Sequence, residues 1–244
     1  MKRVTAIYLG FFCGSFGIFT AAWTMIFIVR GEYLNAVVAL GVSTFCFGCL
    51  IPLVTVLSGH VAPRLHIDDR GTTFWPDRSV EMPIHIALLG GVTACAVYTI
   101  FAPAGMVTIP APHAMRYTIP FLSGVLMLIG VPMLWRYFRR GSTTCLRLTP
   151  SGFELEESQR TESGSWDQIK DVADRVPGKQ TSTSGPIVFV MADDSTPTIA
   201  ASGMTPEGKA LRELVRFYWE HPASRNELTD DRAVERLARS LTQE

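Results

Sequence analysis

Residues 4–29 of the chain read VTAIYLGFFCGSFGIFTAAWTMIFIV, a run of 26 residues without Asp, Glu, Lys or Arg. An α-helix that rises about 1.5 Å per residue would make this run about 39 Å long, which exceeds the roughly 30 Å hydrocarbon core of a bilayer. The run is too long for the core of a signal peptide, and no small-x-small cleavage site follows it. We therefore expect a membrane-spanning helix that stays in the protein as an anchor.

Three further segments share this apolar character, and they lie at about residues 33–57, 84–102 and 119–135. A buried helix of a soluble protein rarely needs such lengths, so the hydropathy predicts four transmembrane helices. The predicted organisation is a four-span membrane domain over residues 1–138, with a hairpin at 60–82 between the second and third spans. A soluble domain then covers residues 139–244.

The zero net charge, from 22 basic and 22 acidic residues, hides a difference between these two parts. Residues 1–138 carry 8 Lys and Arg against 5 Asp and Glu, whereas residues 139–244 carry 14 against 17. With 48% hydrophobic residues, the composition excludes a disordered chain, a disulfide scaffold and a strongly basic nucleic-acid binder. We expect no nucleic-acid partner.

The basic residues that flank the spans predict how the protein is oriented in a cell (inner) membrane. Those assigned to the cytoplasmic side are Lys2, Arg3, Arg64, Arg70, Arg78, Arg136, Arg139 and Arg140. Only Arg30 and Arg116 fall on the opposite side, so both termini and the middle loop should be cytoplasmic. The three arginines that close the fourth span also predict contact with anionic lipid headgroups, worth about 1 kcal/mol per charge near the surface.

A weak internal similarity recurs at an offset of 81 residues, where Leu65 and Gly71 match Leu146 and Gly152. In each copy an alternating apolar strand reaches a turn with a glycine and a second strand begins. Each half would then be a helical hairpin followed by a β-hairpin, repeated in parallel. The matching residues are few, so chance similarity is the alternative. A hairpin at 64–78 is required if the repeat is real.

The tail after residue 144 has the pattern of an α+β domain. Its predicted strands lie at 145–148 and 153–156 around a Gly turn, at 187–191 and near 198–200, and residues 165–169 are predicted to form a further strand and its turn. The polar stretch Asp171–Gly185 predicts a loop. Thr205 is expected to cap a helix that ends before Pro222 and packs its apolar face on the sheet. A last, mostly charged helix over about 229–241 is expected to be peripheral.

The run Leu146–Phe153, followed by Trp166–Ile169, a hairpin and a C-terminal amphipathic helix, resembles the bacterial pleckstrin-homology-like (PH-like) domains. These domains often follow transmembrane hairpins, and the resemblance covers about residues 145–220 through a loose motif. It implies seven strands and a helix, of which the tail supplies about five strands. The hairpin at 64–78 can supply the missing pair. The family implies a binding or scaffolding module more than a catalyst.

Cys46 and Cys49 form a C-x-x-C pair, which in a soluble loop would indicate metal or redox chemistry. Inside a bilayer a thiolate is disfavoured and cysteine packs as a small apolar residue. We interpret the pair as packing, with membrane thiol redox chemistry as the alternative.

A G-x-x-x-G pattern in the first span predicts close helix packing. It is formed by Gly10 and Gly14, with Gly17 nearly one turn further along. Small residues at this spacing let two helix backbones approach closely. The partner helix can belong to the same chain or to a second copy in a homodimer.

The remaining patterns predict neither a catalytic residue, nor a cofactor, nor a metal site. No Walker loop, nucleophile elbow or H-E-x-x-H pattern occurs, and no charged residue lies inside a span core. The predicted function is a non-enzymatic, membrane-anchored binding or scaffold protein for a protein partner or lipid headgroups. The alternative is an accessory subunit of a transport or envelope-assembly complex, which requires a polar path between the spans.

Overall fold

The computed structural model describes residues 3–109, 115, 117–140, 142, 144–157, 160–175 and 185–242. Its four long helices are α1 (Arg3–Val29), α2 (Tyr33–Ser58), α3 (Arg78–Phe101) and α4 (Thr118–Arg140). By length and composition each of them can cross a membrane. The four predicted transmembrane helices are therefore confirmed as helices of the right length, with α3 beginning six residues earlier than hydropathy predicts.

Contacts divide the chain into two compact units. The helical unit comprises Arg3–Val54 and Met82–Gly141, and the β unit comprises the described residues of Thr55–Glu81 and Ser142–Glu244. The β unit is thus assembled from two stretches that are far apart in the sequence.

Helix α3 starts early because a polar first turn precedes its apolar part. Asp77 accepts hydrogen bonds from the backbone N–H of Ser79 at 2.8 Å and of Ala62 at 3.0 Å. Partial burial raises the pKa of the Asp77 carboxyl, but these hydrogen bonds outweigh burial and hold that pKa below its usual value. Glu81, one turn further, is buried and forms an ion pair with Arg64. Hydropathy cannot find such a turn, because the turn is stabilised by capping rather than by apolar burial.

In the helical unit, the G-x-x-x-G side of α1 packs on α2 of the same chain. Gly10, Gly14 and Gly17 all have α2 side chains as their nearest neighbours. A β-carbon added to Gly17 would lie 3.2 Å from the Cβ atom of Cys46, and the Ser43 hydroxyl donates to the Gly17 carbonyl at 3.0 Å. These contacts place the predicted packing motif inside the chain.

Helices α2 and α3 approach each other more closely than α1 and α2. A β-carbon at Gly48 would lie 2.5 Å from both the Pro83 carbonyl oxygen and the Ala87 Cβ atom. At Gly41 it would lie 2.5 Å from the Gly90 carbonyl oxygen. The tightest of these crossings therefore depends on two glycines of α2 that are seven residues apart, a spacing that the G-x-x-x-G pattern does not cover.

Helix α4 packs on α3 through one aromatic contact and one close approach. His85 is buried in α3 and stacks on Tyr137 of α4, with ring centroids 3.4 Å apart and an interplanar angle of 14°. A side chain at Gly130 would overlap Val92. Both contacts hold the second half of α4 against α3.

The β unit contains a five-stranded antiparallel sheet with the order β1-β2-β3-β4-β5. Its strands are β1 (Arg64–Asp68), β2 (Gly71–Trp75), β3 (Thr144–Thr149), β4 (Gly152–Glu157) and β5 (Arg160–Ser165). Thr72 pairs with Leu148 and Phe74 with Leu146, so the hairpin and the tail share one sheet. The Thr72 hydroxyl also donates to the Leu228 carbonyl at 2.7 Å.

A second, three-stranded antiparallel sheet has the order β6-β7-β8. Its strands are β6 (Ile169–Ala173), β7 (Pro186–Met191) and β8 (Thr198–Ala200). The strand and turn predicted at 165–169 are found in part: β5 ends at Ser165, Trp166–Gln168 forms a 3₁₀ turn, and β6 begins at Ile169. The loop predicted from Asp171 starts too early, because β6 continues through Ala173 by pairing with β7. The rest of that predicted loop, residues 176–184, lies outside the described residues.

Two helices follow the sheets, α5 (Lys209–Glu220) and α6 (Arg232–Thr242). Thr205 does not cap α5, because a 3₁₀ turn at Pro206–Gly208 intervenes and the Thr205 hydroxyl forms no capping hydrogen bond. The expectation of a peripheral last helix is also wrong. Ala233 and Leu237 of α6 are fully or almost fully buried in the core of the β unit, because four-residue spacing brings both to one face.

The core of the β unit joins the two sheets. Phe153 of β4 stacks on Phe189 of β7, with ring centroids 3.9 Å apart. Trp166 is buried, and its indole N–H donates to the Thr149 carbonyl at 2.8 Å. The tryptophan of the Trp-Asp-x-Ile sequence therefore holds the corner between β5 and β6 against the β3–β4 turn.

The hairpin that the internal repeat requires is present, and its turn matches that of the second hairpin. In the first turn, Asp68 accepts a hydrogen bond from the Gly71 N–H at 2.9 Å. In the second, the Thr149 hydroxyl accepts one from the Gly152 N–H at 3.0 Å. Both pairs close two-residue turns in the same register. The matches at an offset of 81 residues therefore occupy equivalent places in the fold.

Candidate functional site

A groove of 430 Å³ lies between β6 and α5 in the β unit. It is lined by charged side chains of both signs and by small or apolar ones, namely Asp171, Ala173, Asp174, Arg175, Val190, Arg212 and Arg216. Its volume falls within the range of about 300–1,000 Å³ that is typical of ligand pockets.

Helix α5 brings two arginines to the groove because its apolar face is fully used by the core. The residues buried on that face are Ala210, Leu211, Leu214, Val215 and Tyr218. Arg212 and Arg216 are four residues apart and therefore lie one above the other on the opposite side. Arg216 donates to the Val172 carbonyl of β6 at 2.6 Å, which fixes its side chain at the floor of the groove.

The outer edge of β6 is closed by α5. Besides Arg216 on Val172, the indole N–H of Trp219 donates to the Ile169 carbonyl at 3.2 Å. Two carbonyl groups of this edge strand thus have side-chain partners. A ligand in the groove would therefore contact side chains rather than add a strand to the sheet.

The groove carries charges without ion-pair partners in the described part of the chain. Arg175 and Arg212 form no ion pair there, and neither do Asp171 and Asp174. A guanidinium group presents paired N–H donors that match a carboxylate or a phosphate. The groove can therefore bind an anionic group at its arginines and a cationic or N–H group at its aspartates.

A second polar cluster lies where α5, the 3₁₀ segment Pro222–Thr229 and α6 meet. The buried Tyr218 hydroxyl donates to Glu227 at 3.4 Å, and Glu227 forms an ion pair with Arg236 at 2.9 Å. Burial and the Glu227 charge raise the pKa of Tyr218 to about 12. The neutral hydroxyl donates its hydrogen bond to Glu227 and so links α5 to the segment that follows it.

The arginines that close α4 belong to the helical unit, whereas the groove belongs to the β unit. Arg139 is exposed and lies over the Trp135 ring at 5.2 Å, and Arg136 is half-buried. The side chain of Arg140 lies outside the described residues. Contact of these arginines with lipid headgroups stays a prediction.

The two cysteines of the C-x-x-C pair have different surroundings. Cys46 is buried against α1, whereas Cys49 is exposed on the helical unit. None of the five cysteines forms a disulfide bond in the described part of the chain. Within the described ranges, no group of three or more His, Cys, Asp or Glu side chains is arranged to hold a metal ion.

Sequence reasoning missed the groove because its arginines carry no distinctive pattern. Arg175 fell in a predicted loop, and Arg212 and Arg216 were part of the polar face of an amphipathic helix. Their four-residue spacing was the only available signal, and it is common on solvated helices. Compared with known proteins, the chain matches no family model, no curated protein and no solved structure.

Proposed function

We propose that this chain is a non-enzymatic, membrane-anchored binding protein that presents the β unit at the cytoplasmic face of a cell membrane. The observation that carries the proposal is the groove between β6 and α5, with Arg175 and Arg212 free of ion pairs among the described residues. Such a surface suits recognition of a partner by charge and needs no chemistry from the protein.

The pairing of β2 with β3 supports the proposed topology. Strands β2 and β3 can share a sheet only if residues 71–75 and 144–149 lie on the same side of the membrane. An even number of spans, α3 and α4, separates them, which is consistent with that condition. The basic residues that flank this side assign it to the cytoplasm.

A PH-like identity for the β unit is part of the proposal. Two packed antiparallel sheets followed by a C-terminal helix support it, as does the buried tryptophan of the Trp-Asp-x-Ile sequence. The described residues form eight strands, against the seven of the family. The eighth strand arises because the hairpin contributes two strands, β1 and β2, and the tail contributes six, β3 to β8.

The partner that we propose is a protein segment that bears carboxylates. Arg212 and Arg175 would pair with its acidic side chains, and closure of the β6 edge by Arg216 and Trp219 disfavours binding by strand addition. The transport alternative needs a polar path, and the large cavity of the helical unit has a predominantly apolar lining. The binding role is therefore the better supported of the two.

The test is site-specific crosslinking in native membranes. In one variant of the chain, a photoreactive amino acid replaces the exposed Asp174 at the rim of the groove. In a second variant, the same amino acid replaces the exposed Glu235 of α6. Position 174 should give a discrete crosslinked partner that position 235 does not give. Arg212→Glu should reduce that product at least about tenfold, because one reversed charge replaces an attraction of about 1.4 kcal/mol or more.

Arg232→Glu is the matched control, because Arg232 is exposed on α6 and forms an ion pair with the neighbouring Asp230. It should leave the crosslinked product unchanged. A product that survives Arg212→Glu in a folded protein, or one that Arg232→Glu reduces equally, would refute the groove as the binding surface.

A further inference from the structure

The helical unit contains a partly open cavity of 470 Å³ between its four helices. Each helix contributes to its wall, which is formed mainly by large apolar and aromatic side chains such as Phe16, Trp23, Val42, Tyr98 and Ile119. The cavity exceeds by far the roughly 150 Å³ of an apolar cavity that already binds benzene. It is therefore large enough for an organic ligand.

The walls favour an apolar ligand over water. Thr20, one of the few polar lining residues, already donates its hydroxyl to the Phe16 carbonyl at 2.9 Å. A water molecule needs two to four polar partners to stay in a cavity, whereas apolar cavities stay dry. In a bilayer the competing surroundings are themselves hydrocarbon, so an acyl chain would be held here by van der Waals packing against the rings rather than by removal from water.

The aromatic side chains give the site an elongated shape. Along α1, the rings of Phe12, Phe16, Phe19, Trp23 and Phe27 follow one another with centroids 5.3 to 6.3 Å apart. From Phe16 to Phe27 α1 rises by about 16 Å. Four of the five line the cavity, so a flexible chain lying along them would contact ring after ring.

One end of the site is fixed by a polar clasp. Asn35 is buried at the start of α2, donates to the Thr108 hydroxyl at 2.8 Å and accepts from the Thr108 N–H at 3.0 Å. The clasp holds the segment after α3 in place, and the next residue, Ile109, lines the cavity.

We propose that the helical unit binds one hydrocarbon chain of a membrane lipid in this cavity. The surroundings identify the occupant, because helices of this length and hydropathy lie in a bilayer, where acyl chains are the abundant apolar molecules. The elongated aromatic wall fits a chain better than a compact ring system. The proposal is independent of the groove in the β unit.

The experiment uses the full-length protein in vesicles of phosphatidylethanolamine and phosphatidylglycerol that contain a phospholipid with a diazirine in the middle of one acyl chain. After illumination, mass spectrometry should find the adducts concentrated on cavity residues such as Phe19, Tyr98 and Ser123. Exposed residues of the same helices that do not line the cavity, such as Ile18, should carry at least about fivefold fewer. Adducts spread evenly over the helix surfaces would overturn the proposal.

Val42→Phe fills the cavity from α2 and should lower the cavity adducts at least about fivefold. Val37→Phe, the same exchange at a position of α2 outside the cavity, should leave them unchanged. Circular dichroism and the thermal midpoint identify folded variants, and Ser123→Phe repeats the test from α4 if Val42→Phe does not fold. Cavity adducts at the wild-type level in a folded filled variant would also overturn the proposal.

Discussion

Gly71 and Gly152, 81 positions apart, begin the second strands of two successive hairpins and touch the neighbouring strand in the same way. A β-carbon at Gly71 would overlap the carbonyl oxygen of Leu148 in β3, and one at Gly152 would overlap that of Gly164 in β5. Two positions matched by sequence alone therefore have the same steric role. This equivalence strengthens the interpretation of the chain as two copies of a helical hairpin followed by a β-hairpin.

The shared role predicts that Gly71→Ala and Gly152→Ala destabilise the β unit to a similar extent. Each should cost about 1–3 kcal/mol, because the added methyl group forces two strands apart. Gly203→Ala is the control, since its β-carbon would meet its nearest neighbour at an ordinary 3.5 Å. Free energies of unfolding from urea titrations measure all three. Loss of stability at only one of the two turns would contradict the equivalence.

The helix contacts predict that Gly48 matters more than the glycines of the G-x-x-x-G pattern. Gly48→Ala places a methyl group 2.5 Å from the Ala87 Cβ atom and should destabilise the helical unit by about 1–3 kcal/mol. Gly14→Ala meets Leu50 at 3.6 Å and should be neutral or slightly stabilising. Thermal unfolding in detergent compares the two. Equal midpoints would show that α2 and α3 separate easily.

Much of the fold could be predicted because long apolar runs and two-residue Gly turns are local signals. The spans and the β3–β4 hairpin belong to this class. Strand β5 could not be found, because its sequence, RTESGS, is polar and its strand character comes from pairing with β4 at the sheet edge. The core role of α6 was missed because its apolar residues are few among charged ones.

The groove could not be predicted for a different physical reason. It exists because Arg216 and Trp219 reach carbonyl groups of β6, a strand about 40 to 50 residues earlier in the chain. Which polar residues of a helix lie beside a strand depends on the register between sheet and helix. The apolar face of α5 can be predicted from the sequence. The register at which that face packs on the sheet cannot be predicted from a single sequence.

The raised pKa of Tyr218 predicts a loss of stability in alkaline solution. The folded group titrates at about 12 and an unfolded tyrosine near about 10, so between these values only the unfolded state loses its proton. Stability from this group is constant below about pH 10 and falls by about 2–3 kcal/mol as the pH rises to about 12. Tyr218→Phe should lose less stability than wild type over that range. Urea titrations at several pH values measure the difference.

Tyr33→Phe is the control for the alkaline experiment, because Tyr33 is 70% exposed in the helical unit. It should follow the wild-type pH dependence. Parallel loss of stability in wild type and Tyr218→Phe would show that the buried hydroxyl titrates normally.

The shared sheet predicts that residues 139–244 need the hairpin in order to fold. Without it, β3 loses its partner β2, and the fully buried Phe74 ring is missing from the core. A soluble chain that joins residues 60–77 to 142–244 through a Gly/Ser linker should unfold cooperatively in urea, whereas the tail alone should not.

Within the joined chain, Phe74→Ala should lower the free energy of unfolding by about 3–5 kcal/mol, and His66→Ala, at an exposed position, should change it little. If the tail alone unfolds cooperatively at the same urea concentration as the joined chain, the tail is a complete domain without the hairpin. The assembly of the β unit from two stretches of the chain would then be wrong.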